Sequence, residues 1–213
     1  DDNFIGNKAK AKQTLRFLAG YQERHGRRMR FGTEASLNLA DDPELLALFR
    51  AAGFEWAFLG LETPDAQTLR EAAKTQNTTG DMLGAVRRIH AAGIDVLAGF
   101  IVGFDRDTPA AFGKQRRFIL DSGIMVAMVG LLTALPRTPL YDRLKREGRL
   151  VEGAAHGDNT RARTNIIPKS MSVAQLTEGY QRLYAELLAD GAIAERIRNK
   201  LAHFGAQSRL VRE

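Results

Sequence analysis

The side chains in this 213-residue chain that could do chemistry are carboxylates and small polar groups placed where apolar runs end. Glu62 closes the run Trp56-Ala57-Phe58-Leu59-Gly60-Leu61, and an ionised carboxylate there costs several kcal/mol if it is desolvated without a partner. It must face a hydroxyl, an amide or a cation, unless it sits at the rim of a helix cap made by Thr63 or Asp65. Glu34 stands in a similar position after Met29–Thr33, with Ser36 and Asn38 near enough to satisfy it locally. Gly99 and Gly103 flank Ile101 in another apolar run. Glycine weakens a strand unless a flat ligand or a neighbouring backbone comes close, or barrel packing requires it. Asp105 and Asp107 precede Thr108-Pro109 and read as turn and N-cap residues.

Other chemistries are poorly supplied. The chain has no cysteine, which removes disulfides, thiolate nucleophiles, thiolate zinc sites and iron–sulfur ligation by its own residues. His25, His90, His156 and His203 lie in four separate segments, so neither a protein-only metal site nor a Ser-His-Asp triad is expected. There is no phosphate loop, dinucleotide fingerprint or two-histidine helix motif. The net charge of +6 is spread over several helix faces without interleaved aromatics, which gives no strong nucleic-acid signal. No run approaches the roughly 18–20 apolar residues of a membrane span, and no signal peptide leads the chain, so a cytoplasmic setting is expected. The opening Asp1-Asp2-Asn3-Phe4 has no initiator Met and no strand ahead of it, and the chain therefore reads as cut from something longer.

The elements that must position these groups are legible from a repeated phrase. Ala51-Ala52-Gly53, Ala91-Ala92-Gly93 and Asp121-Ser122-Gly123 each lead into an apolar run. Glycine suits a helix C′ position, where φ turns positive, and the run after it suits a strand buried on both faces, so each phrase is an αβ joint. Between joints lie amphipathic stretches: Leu45, Leu46, Leu48 and Phe49 after Asp42-Pro43; Met82, Leu83, Val86 and Ile89 after Asp81; Phe112, Gln115, Phe118 and Ile119 after Thr108-Pro109. An earlier helix over Lys8 to Arg24 completes a βα alternation with strands near 29–33, 56–62, 95–102 and 126–132. Such units give a parallel sheet, barrel-like or doubly wound. After it come a short helix to Glu147, a polar connector over 148–171, a long helix from Ser172, and a last helix set off by Gly191 and ending near Phe204. The division expected is a barrel over 1–147 and a connector with a helical extension over 148–213.

In parallel α/β folds ligands bind at the carboxyl ends of the strands. Those ends read Asp1-Asp2-Asn3, Thr33-Glu34-Ala35-Ser36-Leu37-Asn38, Gly60-Leu61-Glu62-Thr63-Pro64, Gly99-Phe100-Ile101-Val102-Gly103-Phe104-Asp105 and Thr133-Ala134-Leu135-Pro136-Arg137-Thr138. Together these motifs, in this order over roughly residues 1–190, resemble cobalamin-binding-domain radical S-adenosylmethionine (SAM) proteins, in the subgroup with a C-terminal extension that includes hopanoid methylase-like members.

The resemblance implies an α/β fold, the C-terminal part of a partial, TIM-like (β/α)6 barrel with parallel strands. It also implies reductive SAM cleavage with a 4Fe–4S cluster held by a three-cysteine loop, and cobalamin bound by an upstream domain. The chain contains neither the loop nor that domain, so an N-terminal half is expected to be missing and this fragment alone to be inactive. By the same resemblance Asp1, Asp2 and Asn3 meet the methionyl amine of SAM. Glu34, Ser36 and Glu62 meet its methionine moiety or ribose, and Ile101, Val102 and Gly103 pack against adenine. The expected activity is radical methyl transfer, or a related transformation, on a small-molecule substrate. An unrelated barrel enzyme using Glu34 and Glu62 as acid and base, or a non-catalytic half-barrel that binds a partner chain, would share the fold. The stretch Leu188-Ala189-Asp190-Gly191-Ala192-Ile193 departs from the family, where tyrosine- and proline-containing sequence is usual.

Overall fold

The computed structural model describes residues 3–71, 81–151 and 163–205. Helix α1 (Lys8–His25) is capped by Asn7, whose side chain accepts from the Lys10 N–H. Strand β1 (Phe31–Ala35) leads through a 3₁₀ turn (Leu37–Asp41) into α2 (Pro43–Ala51), where Asp42 is the N-cap and Pro43 occupies the first turn. There follow β2 (Phe54–Glu62), α3 (Ala66–Glu71), α4 (Met82–Ala91) capped by Asp81, β3 (Asp95–Val102), α5 (Ala110–Ser122) and β4 (Val126–Leu131). The joint glycines Gly53, Gly93 and Gly123 have φ of 83°, 79° and 70°, the left-handed conformation their place in the repeated phrase requires. Strand β1 lies two residues later than the pattern predicts, and Leu132 falls just outside β4.

The four strands pair in the order β1-β2-β3-β4, all parallel. Ala57, Leu59 and Leu61 of β2 and Val96, Ala98, Phe100 and Val102 of β3 are buried under helices. On the other face Trp56, Val126 and Met128 stay 40%, 47% and 58% exposed. Sequential order with helices on one face is a singly wound, barrel-like sheet, which settles the choice against double winding. On the open face rings lie across glycines. The Trp56 indole covers Gly32, and the Phe58 ring covers Gly99, where an added Cβ would stand 3.2 Å from Phe58 Cζ. The glycine in β3 thus makes room for a side chain of the neighbouring strand.

Helix α6 (Pro139–Arg146) is followed by α7 (Val173–Leu188), which opens on a capping box between Ser172 and Gln175. Leu176, Tyr180, Leu183 and Leu187 of α7 and Ala192 of α8 (Asp190–His203) join the same apolar core as the sheet. The break between these helices falls at Ala189, extended at φ −64° and ψ 141°, and Gly191 lies inside the first turn of α8 instead of forming the joint. Tertiary contacts set that joint: Arg196 of α8 donates to the carbonyls of Leu187 (2.7 Å) and Met125 (3.0 Å). Among the described residues no helix is long and apolar enough to cross a membrane.

Two interior contacts, one half-buried and one fully buried, give measurable expectations. The Tyr184 hydroxyl accepts from Val129 N–H (3.1 Å) and donates to Val129 C=O (3.0 Å), which occupies the free edge of β4. Tyr184→Phe strands both groups and should lower unfolding free energy by about 1–3 kcal/mol in urea titrations. His90 is fully buried, and burial pushes its pKa down to about 4, with Asp95 opposing and Lys200 and His203 adding to the shift. The unfolded chain therefore binds the extra proton between about pH 6.5 and 4, and stability falls by roughly 3 kcal/mol as pH drops through that window. His90→Leu should remove this component when urea midpoints of the two proteins are compared from pH 7 to 4.

Candidate functional site

A cavity of about 640 Å³ opens at the carboxyl ends of β2, β3 and β4. Its floor is apolar, made by Ile101, Phe104 and Leu132. Glu62, Thr68, Glu71 and Asp105, with Pro139, Leu140 and Arg143 of α6, complete its lining. Glu62, Ile101 and Leu132 stand at or next to the last residues of their strands, and Thr68 and Glu71 belong to the helix that follows β2, which is the placement parallel topology imposes.

Glu62 has φ of 65°, a left-handed conformation that is unfavourable for a residue with a Cβ. The chain turns there in three residues, closed by Thr63 N–H donating to Leu61 C=O at 2.8 Å, and the register with β3 slips between Gly60 and Glu62. The carboxylate folds back over Gly60, where an added Cβ would meet Glu62 Oε1 at 3.1 Å. Capping of α3 falls to Asp65, which accepts from the Thr68 N–H (2.9 Å) and hydroxyl (3.1 Å). The Thr68 N–H bond, with help from the Thr68 hydroxyl and Lys114, holds the Asp65 carboxyl below the usual range against the opposing effect of burial. Glu62 is therefore not needed as a cap, and its strained turn is directed at the cavity instead.

The remaining sequence-selected residues separate into groups. Asn3 Nδ2 donates to Ser36 Oγ (3.2 Å), which donates to Asn38 Oδ1 (2.7 Å), so a polar chain forms at the mouth of β1. The Phe4 N–H donates to the Glu34 carbonyl (3.0 Å), which lays the chain before α1 along the free edge of β1. The Glu34 side chain is exposed on the open face of the sheet. Asp1 and Asp2 lie outside the described residues. Ile101 lines the cavity, whereas Val102 is 1% exposed and turned toward the helices. Gly103, at φ 109°, lies beneath α7, and a Cβ there would stand 3.2 Å from Leu176 Cδ2.

Asp107 is a turn residue, accepting from the N–H groups of Gly103 (2.8 Å) and Phe104 (3.0 Å), while Pro109 holds the N-cap position of α5. Burial raises its pKa despite those two bonds. Asp105 has a larger part than the turn expected of it. Its carboxylate takes Arg143 Nη1 on one oxygen and Arg149 Nη2 (2.7 Å) on the other, and its carbonyl accepts from the Ser170 hydroxyl (2.9 Å). Burial works to raise the Asp105 pKa, but the two guanidinium groups outweigh it and keep the carboxyl low. The arginines stand 38 and 44 residues along the chain, and no local spacing signals them. Among the described residues, no cluster of three His, Asp or Glu side chains could hold a metal.

Residues 5–119 match the family model of the radical SAM superfamily, and residues 138–212 match that of a domain of unknown function (DUF4070). The chain belongs to the radical SAM superfamily. It is 42% identical over 185 residues to the hopanoid C-2 methylase of Rhodopseudomonas palustris, covering 86% of this chain and 34% of that protein. It is 43% identical over 168 residues to an uncharacterized methyltransferase of Synechocystis, covering 79% of this chain and 31% of that one. It thus spans about a third of the length of the curated relatives it matches. The radical SAM methyltransferase TsrM of Kitasatospora setae, solved with cobalamin and a 4Fe–4S cluster bound, superposes with a TM-score of 0.59 at 18% identity, over 93% of this chain and 42% of that one. The partial-barrel fold is accordingly the one this chain adopts.

The strain at Glu62 can be weighed separately from its carboxylate. Glu62→Gly and Glu62→Ala both remove the acid, but only glycine relaxes the left-handed turn. The glycine variant should be more stable than the alanine variant by about 1 kcal/mol in chemical denaturation.

Proposed function

We propose that this chain is part of the catalytic module of a cobalamin-dependent radical SAM methyltransferase, in which its strand mouths hold the organic part of SAM. The observation that carries the reading is Glu62, a carboxylate kept in a strained turn over a cavity whose floor is apolar. The likeness to a hopanoid C-2 methylase and to a second methyltransferase supports methyl transfer as the outcome. In this reading residues 1–147 act as barrel and 148–213 as its extension, and the substrate is a small molecule.

The residues fit SAM in chemical type. Glu62 accepts hydrogen bonds from an amine or hydroxyl. Asn3 and Ser36 offer further polar atoms at the mouth of β1. Ile101, Phe104 and Leu132 give a flat ring an apolar bed and keep water from it. They do not fit the cluster, because the chain has no thiolate to offer. Cluster and cobalamin are therefore assigned to other parts of the protein, and no step is derived through them. SAM bound at the cavity supplies a transferable methyl group on a reducible sulfonium centre. What this chain does is bind, orient and desolvate it.

The full-length protein, reconstituted anaerobically with iron, sulfide, cobalamin and a reductant, should consume SAM to give 5′-deoxyadenosine or S-adenosylhomocysteine. Glu62→Gln should lower kcat/KM for SAM by about 10–100-fold, the scale of one charge-assisted hydrogen bond. Absence of both products from the unaltered protein would overturn the assignment.

A further inference from the structure

The segment matched as a domain of unknown function begins at α6, and α6 is a wall of the cavity. Leu140 and Arg143, three residues apart, share the helix face turned to the cavity. The segment is tied down by polar contacts of its own. Asn165 pairs with both backbone groups of Ala134, accepting at 2.9 Å and donating at 2.7 Å. The Arg149 carbonyl and guanidinium meet the returning limb: Ile167 N–H donates to the Arg149 carbonyl at 2.9 Å, and Arg149 Nε donates to the Ile167 carbonyl at 2.9 Å. Ala134, Leu144 and Ile166 form a small core separate from the main one. This unit meets the loop after β3 through Asp105, which binds Arg143, Arg149 and Ser170 together.

We propose that Asp105 is a positioning residue: by holding Arg143 and Arg149 on its two carboxylate oxygens it fixes the 139–151 segment as the outer wall of the cavity, and so sets how tightly the cavity holds SAM. The inference rests, for the identity of the ligand, on the function proposed above. Asp105 itself lines the cavity, but each of its carboxylate oxygens is taken by one guanidinium group, so its influence on the ligand runs through the segment those groups hold. The Arg149 side chain is 14% exposed and also binds Glu147 at 2.8 Å, so it is a half-buried strut. The acid in the loop after β3 thereby adds a link between the superfamily barrel and a segment otherwise tied to the chain just after β4. A fork-shaped guanidinium can bind Asp105, Glu147 and a backbone carbonyl at once, which an ammonium cannot do in the same geometry.

The test uses the full-length protein in two arms. Without ligand, Asp105→Asn should speed amide hydrogen exchange of residues 139–151 by about tenfold while β2 keeps its protection, which also shows that the variant folds. Unchanged exchange in 139–151 would overturn the clamp. In the second arm, SAM affinity is read by equilibrium dialysis. Asp105→Asn and Arg143→Gln should each weaken SAM binding by about tenfold, and the double variant by no more than the weaker-binding single one, because both break the same link. Arg149→Lys should weaken binding as Arg149→Gln does. Losses that multiply in the double variant, or SAM affinity unaltered in a variant whose 139–151 segment has loosened, would overturn the positioning role. Failure of the unaltered protein to bind SAM would overturn the ligand and the function proposed, while the exchange arm still decides the clamp.

Discussion

Parallel pairing of four strands is the constraint on which the rest of this molecule depends. Each strand must be followed by a crossover, so every strand leaves the sheet at the same end, and loops distant in sequence are gathered there. Glu62, Ile101 and Leu132 reach one cavity for this reason alone. Helices fill one face of the sheet with Leu59, Val96, Ala98 and Phe100 packed beneath them. The other face carries Trp56, Val126 and Met128 in the open, with aromatic rings laid across glycines.

Strain and charge concentrate at the gathered end. Glu62 occupies backbone space that favours glycine, and the neighbouring register slip and the Leu61–Thr63 turn hold it there. A fold seeking only stability would place glycine at such a turn. Asp65 and Asp107, by contrast, are used up by backbone N–H groups and a hydroxyl within a few residues, and their pKa values move in opposite directions because their burial differs. Carboxylates of one type thus serve as cap, loop closure, clamp and cavity wall within a single edge of the sheet.

The C-terminal helices are part of this arrangement. Helix α7 packs Leu176 against Gly103 and lays Tyr184 on the free edge of β4, which ends the sheet without another strand. Helix α8 crosses the αβ joint before β4, where Arg196 meets backbone carbonyls, and an added Cβ at Gly123 would stand 2.5 Å from the Lys200 nitrogen. Between the barrel and α7, residues 139–151 lie at the opposite end, where α6 lines the cavity. The extension therefore touches both ends of the strands.

Much of the architecture was legible in the chain because its causes are local. The Ala-Ala-Gly joints, the Asp42-Pro43 and Ser172 caps and the apolar runs mark elements within a few residues of their true bounds, since a cap or a positive φ is decided by neighbouring atoms. Glu62 could be selected for the same reason: a carboxylate ending an apolar strand is visible in one dimension. Its strained turn, the rotation of Val102 away from the cavity, the helix break at Ala189 in place of Gly191, and the Asp105 clamp were not visible. The clamp and the helix break depend on atoms brought from tens of residues away, and neither residue type nor spacing encodes which partner arrives; the Glu62 turn and the facing of Val102 follow from the register and orientation of strands within the sheet. The sequence by itself determined the alternation, the parallel strands and the polar strand mouths. Only the tertiary structure decided which of those mouths share a cavity and what closes it, because convergence is a property of the packed sheet and not of any segment.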